Sequence, residues 1–159
     1  MRTVKTIQQK AIRAGGFTLV EVMLAIGLVG VLAALAVSNY QAYVERARVY
    51  QAITDIAAIS TGIQLYFQDA KAYPASLATI GAGAQLDPWG RPYEYLNLTT
   101  RNGNGGARRD KKLNPLNSDF DLYSRGKDGV TKLPITQKDS QDDVLRANDG
   151  AFIDLASKY

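Results

Sequence analysis

The sequence predicts an α+β chain, in which a long N-terminal helix, apolar on all sides in its first half, packs through its second half on a small antiparallel β-sheet. Three observations predict it. An apolar run extends from Phe17 to Val37, interrupted only by Glu21. An amphipathic stretch follows, and the first proline of the chain is Pro74. From Pro74 onward, turn-forming glycine, proline and aspartate punctuate short runs that read as strands.

Residues 1–16 carry Arg2, Lys5, Lys10 and Arg13 and no acid. Positive charge of this kind holds an N-terminus on the cytoplasmic side of a membrane. The run Phe17–Val37 matches the roughly 20 apolar residues that span a bilayer core as a helix. A charge inside such a helix costs about 2.5–3.5 kcal/mol on insertion scales, so Glu21 needs a partner or a purpose. Further on, Tyr50, Ile53, Ile56, Ala57, Ser60, Ile63, Tyr66 and Phe67 recur at three- and four-residue spacing, with Gln51, Asp55, Gln64 and Gln68 off that face. The pattern predicts one continuous helix from about Phe17 to Lys71, on the order of 80 Å long at 1.5 Å per residue. Tyr73-Pro74 ends it, and Gly27 and Gly30 are soft points within it.

Beyond the helix, Asp87-Pro88-Trp89-Gly90 fits a type I turn. Pro92–Leu98 reads as a strand with Tyr93, Tyr95 and Asn97 on one face; Phe120–Ser124 and Ala151–Leu155 read as two more. Arg101–Lys112 is a glycine-rich basic loop. The aromatics Tyr50, Tyr66, Phe67 and Trp89, with the strand tyrosines, are expected in the core.

Composition removes whole classes of function. The formal net charge of +4 points to nucleic acid until it is located. Subtracting the four basic residues of 1–16 from the 19 in the chain leaves a balance with the 15 acids, so that reading fails. With no cysteine and no histidine, disulfides, thiolate or imidazole metal sites and a Ser-His-Asp triad are all excluded. An enzyme is not expected. Metal binding, if any, rests on oxygen ligands, the set preferred by calcium or magnesium.

Gly16-Phe17-Thr18-Leu19-Val20-Glu21 resembles the class III signal of type IV pilins and type II secretion pseudopilins. The resemblance implies a type IV pilin fold, cleavage between Gly16 and Phe17 by a prepilin peptidase, and N-methylation of Phe17 by the same enzyme. It implies that the new Phe17 ammonium neutralises Glu21 of a neighbouring subunit in a homopolymer filament. The domains then read as a cleaved leader 1–16, a transmembrane and polymerisation helix 17–38, an amphipathic continuation 39–73 and a sheet-and-loop region 74–159. Ser38 stands where many type IV pilins place a helix proline, and the disulfide loop of many pilins cannot form. Ala34-Leu35-Ala36 offers a competing secretory cleavage site that would start a soluble protein near Val37; an uncleaved signal anchor is a third reading.

Two C-terminal stretches, Asp121–Val130 and Ser140–Val144, together with Asp87–Tyr93, resemble the major pseudopilin of type II secretion. The resemblance implies a structural calcium held by the side chains of Asp128, Ser140, Asp142 and Asp143 and by the main-chain carbonyls of Arg125 and Val130. Thr131–Asp139 is a long insertion relative to that family's loop. The bland alternative is that these aspartates are solvated turn residues. Arg101, Arg108, Arg109, Lys111 and Lys112 around Asp110 make a basic loop, whereas acids outnumber bases between Asp119 and Asp154. Head-to-tail complementarity between subunits is favoured over DNA binding, since no aromatic is interleaved for base stacking. The expected function is a structural subunit of a periplasmic pseudopilus that drives protein export; the alternative is a surface type IV pilus subunit. Expected partners are minor pseudopilins, the peptidase, an inner-membrane platform protein and an assembly ATPase, with no nucleic acid. Its expected place is the bacterial inner membrane, single-pass, with the C-terminal domain in the periplasm.

Overall fold

The computed structural model of the chain describes residues 16–100 and 105–159. The leader calls on residues 1–15 and the place of Arg101 lie outside the described residues. One helix, α1 (Leu19–Ala70), precedes four strands: β1 (Glu94–Asn97), β2 (Phe120–Ser124), β3 (Val144–Ala147) and β4 (Phe152–Leu155). They form a single antiparallel sheet in the order β1-β2-β3-β4. The chain divides into one unit ending at Gln41 and a second from Ala42 to Tyr159.

Helix α1 runs without a break through Gly27 and Gly30. It begins two residues later than the spacing predicted and stops at Ala70, where Lys71 takes a left-handed φ of 56° and its N–H bonds the Phe67 carbonyl at 2.9 Å. That closure precedes Tyr73-Pro74, so the proline confirms an end already made.

Within the second unit α1 buries Ala52, Ile56, Ile59 and Ile63, a 4-3-4 spacing that traces one stripe. The stripe packs on Leu77, Tyr93, Phe120, Leu122 and Val144. Tyr50, expected in this core, is 68 % exposed, because it lies two residues before Ala52 and so points to the opposite side of the helix. Tyr66 and Phe67 are half-buried, the latter stacked on Tyr73 with ring centroids 4.4 Å apart. The predicted face of β1 does meet the helix end of the domain: Tyr93 donates its hydroxyl to Asp55, Tyr95 to the Pro74 carbonyl, and Asn97 its amide to the Tyr73 carbonyl. The Asp87 turn forms as read, with Gly90 N–H on the Asp87 carbonyl at 2.8 Å and Trp89 N–H on its carboxylate at 3.0 Å.

Strand β3 is absent from the sequence reading and is buried at every residue. Pleating sends Val144 and Arg146 toward α1 and Leu145 and Ala147 the other way. The far face has a cover of its own, in which Leu116, Ile135 and Ala156 pack on Leu145 and Ala147. A strand buried on both faces loses the polar alternation that marks a one-sided strand. Here a charged residue also sits in its middle. Arg146 is 2 % exposed, lies 4.0 Å over the Phe120 ring and bonds both carboxylate oxygens of Asp119 at 2.7 Å.

Candidate functional site

Two regions carry the chemistry that the sequence singled out. At the start of α1, Thr18 is the N-cap. Its N–H and its hydroxyl each donate to a Glu21 carboxylate oxygen at 2.9 Å, and the Glu21 N–H returns a bond to the Thr18 hydroxyl at 3.2 Å. This is a reciprocal capping box, Thr-x-x-Glu, which satisfies backbone donors that a helix start leaves open. The spacing was visible in the sequence and marks the helix start better than the apolar run did. Glu21 therefore has a local role in addition to any intersubunit one. Behind it the large apolar side chains from Phe17, 88 % exposed, to Val37, 57 % exposed, project outward with no packing partner among the described residues. The helix is long and apolar enough to cross a membrane. An apolar surface this extensive requires lipid or other subunits to cover it.

The second region is the C-terminal loop. The structure brings the 125–130 turn against Asp142: Asp128 N–H bonds the Asp142 carboxylate at 2.9 Å, and Gly129 N–H bonds the Arg125 carbonyl at 3.2 Å. Gly126 has φ +61°, and a Cβ there would land on the Asp142 carbonyl oxygen. Gly126→Ala should therefore cost about 3 kcal/mol, from left-handed strain plus overpacking against backbone. The check is a melting temperature about 10 °C below wild type in thermal denaturation.

The three predicted aspartate ligands, Asp128, Asp142 and Asp143, are not gathered into one cluster. Among the described residues, no group of three or more acidic side chains is placed to hold a metal ion. Asp128 accepts the Val130 N–H on its own carboxylate at 2.8 Å. The Ser140 hydroxyl is engaged with the Lys132 N–H at 2.9 Å and the Lys132 carbonyl at 3.0 Å. Asp143 is fully buried and points away to Arg108, which donates at 2.6 Å, and to Thr131, which donates at 2.6 Å. Burial pushes the Asp143 carboxyl up to about 6, against the Thr131 hydrogen bond and the Arg108 charge. One buried Asp143 oxygen has no hydrogen-bond partner. The Asp128, Ser140 and Asp143 side chains are thus engaged by the chain itself.

Sequence reasoning missed Arg108. It stands in the run read as a basic loop, yet its exposure is 2 %. Its main-chain N–H bonds the Asp121 carboxylate at 2.7 Å, its guanidinium lies 4.5 Å over the Tyr123 ring, and it also reaches the Thr131 hydroxyl and, at 2.8 Å, the Lys132 carbonyl. The basic surface is correspondingly smaller than the sequence implied, with Lys111 and Lys112 exposed and Arg109 half-buried.

A long apolar helix opened by a Thr-x-x-Glu cap and followed by a helix-on-sheet domain defines a pilin-like subunit. The prokaryotic N-terminal methylation motif matches residues 12–37. The chain is 31 % identical to the type II secretion system core protein G of Pseudomonas aeruginosa over 72 % of this chain and 84 % of that protein. To the core protein G of Dickeya chrysanthemi it is 31 % identical over 87 % and 89 %. A fimbrial protein of Neisseria meningitidis is 26 % identical over 89 % and 84 %. A comparison with solved structures returns no match. The chain belongs to the family of type II secretion system core protein G, the major pseudopilins, and has the type IV pilin fold.

Proposed function

We propose that this chain is a structural, non-catalytic subunit of a periplasmic pseudopilus and works by polymerising. The observation that carries the proposal is the Glu21 carboxylate at the capped start of an exposed apolar helix, next to Phe17. Cleavage after Gly16 would put a new ammonium on Phe17, within reach of the Glu21 of an adjacent copy. The two opposite charges then neutralise each other in a low-dielectric helix bundle, where an unpaired charge is costly. Residues 17–38 would anchor the subunit in the inner membrane before assembly, with the domain in the periplasm. A peptidase with methyltransferase activity, a platform protein, an assembly ATPase and minor pseudopilins complete the machinery this reading requires. Greater identity to core protein G than to the fimbrial protein favours secretion over a surface pilus.

Intact-mass measurement of the membrane-extracted protein tests the processing step. The expected mass lacks residues 1–16 and gains one methyl group. A mature N-terminus near Val37 would instead support secretory cleavage and remove Phe17 and Glu21 from the protein altogether.

A further inference from the structure

Two guanidinium groups bind oxygens of the loops that carry the predicted calcium ligands. Arg91 lies under the 125–130 turn, donating to the Gly126 carbonyl at 2.6 Å and the Lys127 carbonyl at 3.2 Å. It fits so closely that a Cβ on Gly129 would come 2.5 Å from its Cζ. Arg108 gathers the other half: the Asp143 carboxylate, the Thr131 hydroxyl and the Lys132 carbonyl. Carbonyls, a hydroxyl and a carboxylate are the oxygen types a hard cation collects. Here fixed positive charges collect them, and planar guanidinium groups present several donors at once.

The long insertion supplies what Arg108 needs. Thr131 and Lys132 belong to it or border it, and its backbone is tied to the arginine segment by Arg109 N–H to the Leu133 carbonyl at 2.9 Å and Ile135 N–H to the Arg109 carbonyl at 3.0 Å. On the other side the Arg108 N–H is fixed to buried Asp121, whose second oxygen accepts from Asn117 at 2.9 Å. The segment around Arg108 is thus wedged between two buried carboxylates: Asp121, which accepts its main-chain N–H, and Asp143, which pairs with its guanidinium. An unpaired buried carboxylate is strongly unfavourable, and Arg108 supplies the counter-charge to Asp143.

We propose that Arg108, assisted by Arg91, is a built-in replacement for a divalent cation, and that the C-terminal loop of this subunit folds independently of calcium. The two parts of the inference are one physical statement: the buried carboxylate of the loop, Asp143, already has its counter-charge within the chain.

The test is thermal unfolding of the full processed chain in detergent micelles, in millimolar calcium chloride and in chelator, for wild type, Arg108→Gln and Lys112→Gln. Wild type should melt at the same temperature in both conditions, and calorimetric titration with calcium chloride should give no stoichiometric binding. Arg108→Gln should melt about 10–20 °C lower, as expected for breaking a buried pair, while exposed Lys112→Gln should move by no more than about 2 °C. If Arg108→Gln does not fold, the wild-type comparison with and without calcium still decides the question. Wild-type melting raised by calcium, with one ion bound per chain, would overturn the proposal. So would an Arg108→Gln variant as stable as Lys112→Gln.

Discussion

Cells overproducing Glu21→Ala are expected to accumulate inserted, processed subunit and to form no filaments. Removing the charge relieves an insertion cost of about 2.5–3.5 kcal/mol, so membrane entry is unimpaired or improved. Assembly loses far more. Each incoming Phe17 ammonium would be buried without a counter-charge, and breaking a buried pair costs about 3–5 kcal/mol. At about 1.4 kcal/mol per tenfold, that weakens each addition by about two to four orders of magnitude. The capping box complicates a single substitution, because alanine also removes the bonds between the carboxylate and Thr18. Glu21→Gln separates the roles: glutamine still caps a helix start but carries no charge. Glu21→Gln should fail to assemble like the alanine variant. Thr18→Val, which keeps the charge and loses the side-chain cap, should assemble. Shearing of cells followed by electron microscopy and quantification of the released subunit reads all three. Wild-type filament yield from Glu21→Gln would exclude the charge-pairing role.

The second large effect is expected in the core. Arg146→Met should lower the stability of the domain by about 3–5 kcal/mol, a large share of the 5–15 kcal/mol typical of a folded protein. The arginine is 2 % exposed, and its removal takes the ion-pair partner from the Asp119 carboxylate and a donor from the Phe120 carbonyl and the Asn117 side-chain carbonyl, which accept from it at 2.7, 3.1 and 3.3 Å. Methionine fills the volume over the Phe120 ring but donates nothing. Arg125→Met is the matched control: that pair with Glu94 is 2.5 Å long but 43 % and 33 % exposed, so its loss should cost less than about 1 kcal/mol. Circular dichroism at increasing temperature on the detergent-solubilised chain measures both. Equal effects from the two substitutions would show that burial does not set the worth of these ion pairs.

The sequence made legible whatever depends on neighbours in the chain. The apolar run, the Asp87 turn and strand β2 each follow from local residue types, and the structure places them within a few residues of the reading. The Glu21 cap was also local, Thr18 standing three residues before it. Long-range charge pairing was not legible. Arg108 and Asp143 lie 35 residues apart and Arg146 and Asp119 27, and nothing in a run of basic residues distinguishes the arginine that goes inside. For the same reason β3 went unseen, since Val144-Leu145-Arg146-Ala147 offers neither alternation nor an uninterrupted apolar run. The acidic loop presents the same difficulty from the other side. Asp142 and Asp143 are adjacent, yet one meets the 125–130 turn and the other faces Arg108 in the interior.

The proposed role depends on polymerisation through the N-terminal helix. Electron microscopy of material sheared from cells overproducing the wild-type chain with its secretion machinery tests that most directly, with the filament subunit identified by intact mass. Filaments built from this chain, beginning at methylated Phe17, are the predicted result. A processed chain that stays monomeric in the membrane under those conditions, or one released as a soluble protein, would contradict it.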